Sequence, residues 1–348
     1  MKQLRWLGIA VGMLALTLVV SAQGAQGSSQ PEGYHVVKTV KLNNNRGWDY
    51  MDIDNARHRL YVSTGDKEIV LNADTDAVVG EVTGLKGTHG VGISDRDNHG
   101  FTSNGAGNDT TEFNLTTLKV IKTIPLPIVR PDGVIYDPAS DRIFYFNHDS
   151  HAAAVDAKTG TVAGSILLPS RAAEFAAADG RGHVYDNLES SSQEVEINSR
   201  TLKVMHVWPL APCKGPSGLS MDRTSRRLFV GCDNNMLAVM NADTGKVVAT
   251  LPIGGGVDAT RFDPKTKLVF SSNGEDGTMT VIHEDSPDHY TVLGNVPTAR
   301  SARTMEVDSQ TGKLYTVAAK FEPRKPGAPR YRRHMVPGSF ALIVVANH

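Results

Sequence analysis

One pattern recurs along the whole chain and leaves few folds open to it. An apolar residue is followed by Asp, a short polar turn and three mostly apolar residues. Met221-Asp222 leads to Leu228-Phe229-Val230, Ile53-Asp54 to Leu60-Tyr61-Val62, and Tyr136-Asp137 to Ile143-Phe144-Tyr145. Phe262-Asp263 leads to Leu268-Val269-Phe270 and Val307-Asp308 to Leu314-Tyr315-Thr316, with weaker copies at Ser94-Asp95 and Ala178-Asp179. The anchors 54, 95, 137, 179, 222, 263 and 308 are spaced by 41, 42, 42, 43, 41 and 45 residues. That period with strand-like content predicts an all-β fold, a seven-bladed β-propeller of four-stranded blades. Each blade hides its faces only against its neighbours, so the 348 residues are expected to form one ring-shaped domain and not two.

The fifth repeat shows the unit best. Strands A to D are expected at 218–222, 227–231, 236–240 and 246–253, with Asn241-Ala242-Asp243-Thr244-Gly245 between C and D. An Asn or Asp there bonds its own backbone and Gly accepts positive φ, which makes a tight turn. The same turn is written at Asn72-Ala73-Asp74-Thr75, Asp156-Ala157-Lys158-Thr159-Gly160 and Asn198-Ser199-Arg200-Thr201. The last repeat ends on strand-C text at 340–346, and strand-D text stands instead at 35–42. The N-terminal strand is therefore predicted to complete the C-terminal blade and close the ring, which leaves no unpaired blade.

Ahead of the repeats, Lys2 and Arg5 precede a fourteen-residue apolar run from Leu7 to Val20 and the small residues Ser21 and Ala22. This reads as a signal peptide over 1–22, a polar linker over 23–33 and a propeller over 34–348. The run is short for a membrane span, so no span is expected once the signal is removed, and the mature chain is expected to be exported, periplasmic or secreted. Cys213 and Cys232 flank Asp222 in one repeat, which suits a disulfide in an oxidising compartment, against the alternative of two separate buried thiols.

Seven repeats with Leu-Tyr-Val or Leu-Phe-Val in strand B, each followed by an Asp/Asn-x-x-Thr-Gly turn, resemble the YVTN-repeat propellers, and the YncE-like exported proteins most. The resemblance covers essentially all of the mature chain. It implies the fold and export and says little of activity, since seven-bladed relatives include lactonase-like enzymes and quinone- or haem-associated domains.

Chemistry is expected at the channel mouth shared by the D–A and B–C loops. Five residues before the anchors stand Asp49, Gly90, Asp132, Glu174, Ser217, Asp258 and Arg303, with His89 beside Gly90. Seven to nine residues before them stand Arg46, Lys86, Arg130, Arg171, Lys214 and Arg300. Arg46, Lys86, His89, Arg130, Arg171, Lys214, Arg300 and Arg303 are thus candidates for holding a small anionic ligand. Asp49, Asp132, Glu174 and Asp258 are candidates for a divalent cation, Ca or Mg. The alternative is that facing Arg and Asp simply neutralise one another. His148-Asp149-Ser150-His151 has metal-like spacing but reads better as a B–C turn, and His58, His99, His183 and His283 fall at the opposite face.

The one insertion, 320–338, carries Arg324, Lys325, Arg330, Arg332, Arg333 and His334 in the last blade's B–C loop, a length typical of a lid or binding segment. With 36 basic and 37 acidic side chains, no global field points to nucleic acid or membrane. No GxSxG, HExxH, P-loop, dinucleotide or CxxCH motif is present. The expected function is a monomeric ligand-binding or interaction scaffold whose partner is a small anion or a protein. A metal-assisted lactonase or lyase is the alternative, and a binder of nucleic acid or another anionic polymer the second.

Overall fold

In a computed structural model, which describes residues 31, 33–323 and 334–347, the chain folds almost wholly into strands. The leader at 1–22, most of the linker, and Arg324, Lys325, Arg330, Arg332 and Arg333 of the insertion lie outside the described residues. There are 27 strands, arranged as five four-stranded sheets and one seven-stranded sheet, and a single 3-10 turn at Glu189–Ser191 among the described residues. Among these residues no helix is long and apolar enough to cross a membrane.

The repeat anchors explain the local folding. Asp54, Asp137, Asp222, Asp263 and Asp308 end their inner strands and Asp179 directly follows its own, and these carboxylates turn back onto the backbone of the following hairpin. Asp54 accepts from the N–H of Arg57, Asp179 from Arg181, Asp222 from Thr224, Asp263 from Lys265 and Asp308 from Gln310, all at 2.7–3.1 Å. The C–D turns work the same way. Asn72, Asp156, Asn198 and Asn241 accept from the N–H of Thr75, Thr159, Thr201 and Thr244 at 2.8–3.0 Å. Such Asx turns stop one strand and aim the next.

One anchor is corrected by the pairing. Ser94 faces His99 in the second repeat as Asp54 faces Arg59 in the first, so Ser94 holds the anchor register and Asp95 does not. Asp95 turns outward and pairs with Arg57 at 2.8 Å. The consequence is that His89, and not Gly90, stands five residues before the anchor.

The seven-stranded sheet carries the first two repeats. Its strand Val78–Ser94 pairs through its first half with Gly65–Asn72 and through its second with His99–Asn104. The strand Tyr34–Lys41 pairs antiparallel with Ala341–Asn347, giving the sheet of the last repeat its fourth strand. Strand-B aromatics fill the space between sheets: Tyr61, Tyr145, Tyr185 and Tyr315 are fully buried. Three of them reach a neighbouring repeat through their hydroxyls, Tyr145 donating to Thr110 Oγ1 and Tyr315 to the Ala73 carbonyl, each at 2.7 Å, and Tyr185 to the Ala242 carbonyl at 3.4 Å. The Tyr315 bond ties the last repeat to the first.

Cys213 and Cys232 form a disulfide with Cα atoms 5.6 Å apart and both residues buried. Cys232 pairs with Pro216, one residue from the Ser217 that regular hairpin pairing would give, because the register slips between Pro216 and Leu219.

Candidate functional site at the channel mouth

The corrected register places seven equivalent side chains at one level: Asp49, His89, Asp132, Glu174, Ser217, Asp258 and Arg303. Contacts join successive members around the mouth except between Glu174 and Ser217. His89 Nδ1 donates to Asp49 Oδ2 at 2.7 Å and lies 3.2 Å from Asp132 Oδ1. His148 bridges the next pair, with Nε2 2.8 Å from Asp132 Oδ2 and Nδ1 3.6 Å from Glu174 Oε1. Ser217 Oγ donates to the Asp258 carbonyl at 3.3 Å. Arg303 links the last repeat to the first by pairing with Asp258 and by donating to Asp49 Oδ1 at 3.4 Å and to the Trp48 carbonyl at 2.9 Å.

The floor beneath this ring is aromatic. Tyr50 and Phe175, each one residue further along the chain than its ring member, meet edge to face with centroids 4.2 Å apart. Equivalent positions hold Gly90, Gly133 and Gly218, where a side chain would collide: a Cβ at Gly133 would lie 2.3 Å from the Glu174 carbonyl oxygen, and one at Gly218 2.5 Å from the Thr260 nitrogen. Small residues there let the inner strands converge and leave the centre to the two rings. Below them lies a cavity of about 200 Å³ lined by Asp52, Arg261 and Glu306 among others. Two-residue alternation along the strands brings these to the channel side. Arg261 pairs with Glu306 at 2.8 Å and lies over the Phe175 ring at 5.2 Å. Burial, with Glu306 adding, raises the Asp52 carboxyl to about 8.

Electrostatics divides the mouth carboxylates. Burial raises Asp49, but Arg303 and His89 outweigh it and hold Asp49 below the usual carboxylate range. Burial works against a charge on His89, yet Asp49 and Asp132 raise it to about 9, so it carries a proton at neutral pH. The bond to Asp132 raises His148 as well. Glu174 goes the other way: burial first, then Asp132 and Asp258, push it to about 10, so it is a neutral acid at pH 7. Burial and the same four carboxylates, Asp132, Glu174, Asp49 and Asp258, hold the Tyr50 phenol well above its ordinary value.

The candidate residues separate into the ring and a rim. Arg303 belongs to the ring. Arg130 and Arg171 stand on the rim, each placing an Nη2 3.0 Å from a different oxygen of Asp149. This contact joins two D–A loops to one B–C loop, and Asn147 donating to the Val129 carbonyl at 2.7 Å does the same. Arg46 pairs with Asp66 at 2.9 Å. Lys86, Lys214 and Arg300 are exposed, with no side-chain ion pair among the described residues. Arg300 lines a groove of about 1350 Å³ together with Arg303, Asp258, Glu275 and Asp276.

The four carboxylates expected to share a Ca or Mg ion do not form one cluster. Asp258 is taken by Arg303 and Glu174 by His148, whereas Asp49 and Asp132 come together with His89, their ligand atoms within 4.8 Å of one another. Sequence reasoning missed Tyr50 and turned His148 away. Asn147 does accept from the N–H of Asp149 and His151, as a turn should, but the turn aims His148 into the mouth.

No protein-family model matches the chain, and no curated protein matches its sequence. Solved structures with the same fold are numerous. That of U3-55K has a TM-score of 0.73 at 9% identity, covering 90% of this chain and 99% of that one. The RRP9 WD40 repeats give 0.74 at 9% identity over 92% and 100%, and a chain of the mitotic checkpoint complex gives 0.72 at 13% over 88% and 96%. At these identities the likeness speaks for architecture alone, and the architecture is a β-propeller.

Proposed function

We propose that the protein is an exported, seven-bladed propeller of the YVTN-repeat kind that serves as an interaction scaffold and docks an anionic ligand over its charged mouth. Seven blades are supported by five four-stranded sheets plus a seven-stranded sheet that two repeats share, and closure by the pairing of Tyr34–Lys41 with Ala341–Asn347. Export rests on the leader at 1–22 and is supported by the disulfide.

The observation that carries the docking reading is the rim. Arg130 and Arg171 share one carboxylate, and their side chains remain 65% and 71% exposed. Two guanidiniums on one Asp retain one positive charge and most of their donors. A guanidinium fork suits a carboxylate or phosphate, and Lys86, Lys214 and Arg300 extend the positive rim. Titration with phosphate, citrate and an acidic peptide tests this at low and high ionic strength. Saturable binding that weakens with salt is expected, and absence of saturable binding at low salt overturns the reading.

A second reading, a lactonase or lyase, is favoured by Glu174. A carboxyl that keeps its proton at pH 7 beside His148 is suited to general acid catalysis. Turnover of a lactone panel that disappears in Glu174→Gln would support it.

A further inference from the structure

We propose that the mouth takes one divalent transition-metal ion, held by Nδ1 of His89 and one carboxylate oxygen each of Asp49 and Asp132. This goes beyond the docking reading and does not depend on the rim arginines.

The geometry is that of a ligand set closed around a proton. His89 Nδ1 stands 2.7 Å from Asp49 Oδ2 and 3.2 Å from Asp132 Oδ1. An ion with bonds of about 2.1 Å places neighbouring ligand atoms roughly 3.0–3.4 Å apart in octahedral or tetrahedral coordination. The His89 nitrogen is thus within tenths of an ångström of that spacing to each carboxylate oxygen, and with all three atoms inside 4.8 Å of one another, side-chain movement alone can bring them around one ion. The remaining oxygens are already held from outside. His148 Nε2 contacts Asp132 Oδ2 at 2.8 Å and Arg303 Nη2 contacts Asp49 Oδ1 at 3.4 Å, which orients each carboxylate and leaves one oxygen for the ion.

With three protein ligands, an ion here keeps open positions for water.

The donor set selects the metal. An imidazole nitrogen with two carboxylates suits Zn²⁺, Mn²⁺, Co²⁺ or Ni²⁺, whereas Ca²⁺ and Mg²⁺ prefer oxygen alone. Binding releases the His89 proton, so affinity rises with pH.

The test is titration of the chelator-stripped mature protein with Co²⁺ and Zn²⁺ alone, without any anion, read by calorimetry and Co²⁺ absorption. One ion per chain is expected, binding more tightly at pH 8 than at pH 6. His89→Ala and Asp132→Asn should each weaken binding by at least about tenfold, and His151→Ala on the neighbouring turn should leave it unchanged. Should those variants melt early, NMR of the unaltered protein decides: one equivalent of Co²⁺ should broaden the His89 ring signals first. Overturning results are no saturable one-ion binding, equal affinity in His89→Ala, loss that follows His151→Ala, or His89 signals unmoved at one equivalent. Failure of anion binding with intact metal binding would count against the rim alone.

Discussion

Tyr50 and Phe175 meet edge to face at 4.2 Å, and both rings line the cavity beneath the charged side chains. Phe175 is also buried, with the Arg261 guanidinium over its ring and the inner cavity beneath it. Phe175→Ala is expected to cost about 3–5 kcal/mol, since the truncation enlarges an existing void. Urea unfolding of parent and variant measures the difference, and a loss below about 1 kcal/mol would mean the ring is not a packed element.

His89 and Glu174 give the pH dependence of stability the same sign, while the depressed Asp49 opposes them only in the acid range. His89 titrates near 9 in the folded chain against 6.5 unfolded, so its stabilisation is fully present below about 6.5 and is lost as pH rises through about 9. Glu174, at about 10 folded against 4.5 unfolded, likewise binds its proton more tightly when folded, so stability falls as pH rises above 4.5. Glu174→Gln removes that penalty. At pH 8 the variant should exceed the parent by at least about 1 kcal/mol, the worth of roughly one pKa unit, with the gap closing towards pH 4. Melting curves across this range check the sign.

The Cys213–Cys232 bridge spans 19 residues. Chain entropy alone assigns such a loop about 3 kcal/mol. The double variant Cys213→Ala with Cys232→Ala should lose about that much in denaturant unfolding, and titration of the denatured, unreduced parent should find no free thiol.

Deleting residues 34–41 should lower the melting temperature by many degrees and promote aggregation. The deletion uncovers the edge of Ala341–Asn347, a strand whose middle residues are buried. Melting within a degree or two of the parent would contradict the closure read from this pairing.

The features legible in the sequence are those whose cause is local. An anchor Asp is readable because its carboxylate bonds the backbone two or three residues on, and the Asx turns are readable for the same reason. Where another residue takes the role, the phase is lost. Ser94 replaces Asp in the second repeat, and one residue of slip set Gly90 in place of His89. The ring at the mouth was thus legible in six of its members. Tyr50 and His148 were not, because their importance comes from contacts with other repeats, Tyr50 with Phe175 and His148 with Glu174, that no local pattern encodes.

The central claim, that the mouth is a binding site, is tested most directly by calorimetric titration of citrate into the parent, Arg130→Ala and Arg171→Ala at low salt. Each substitution should weaken binding by about 1–3 kcal/mol, the worth of a charged hydrogen bond. Melting should be unchanged, because exposed arginines add little stability. Equal affinity in all three proteins, with normal melting, would contradict the claim and leave the mouth as a ring of charges that neutralise one another.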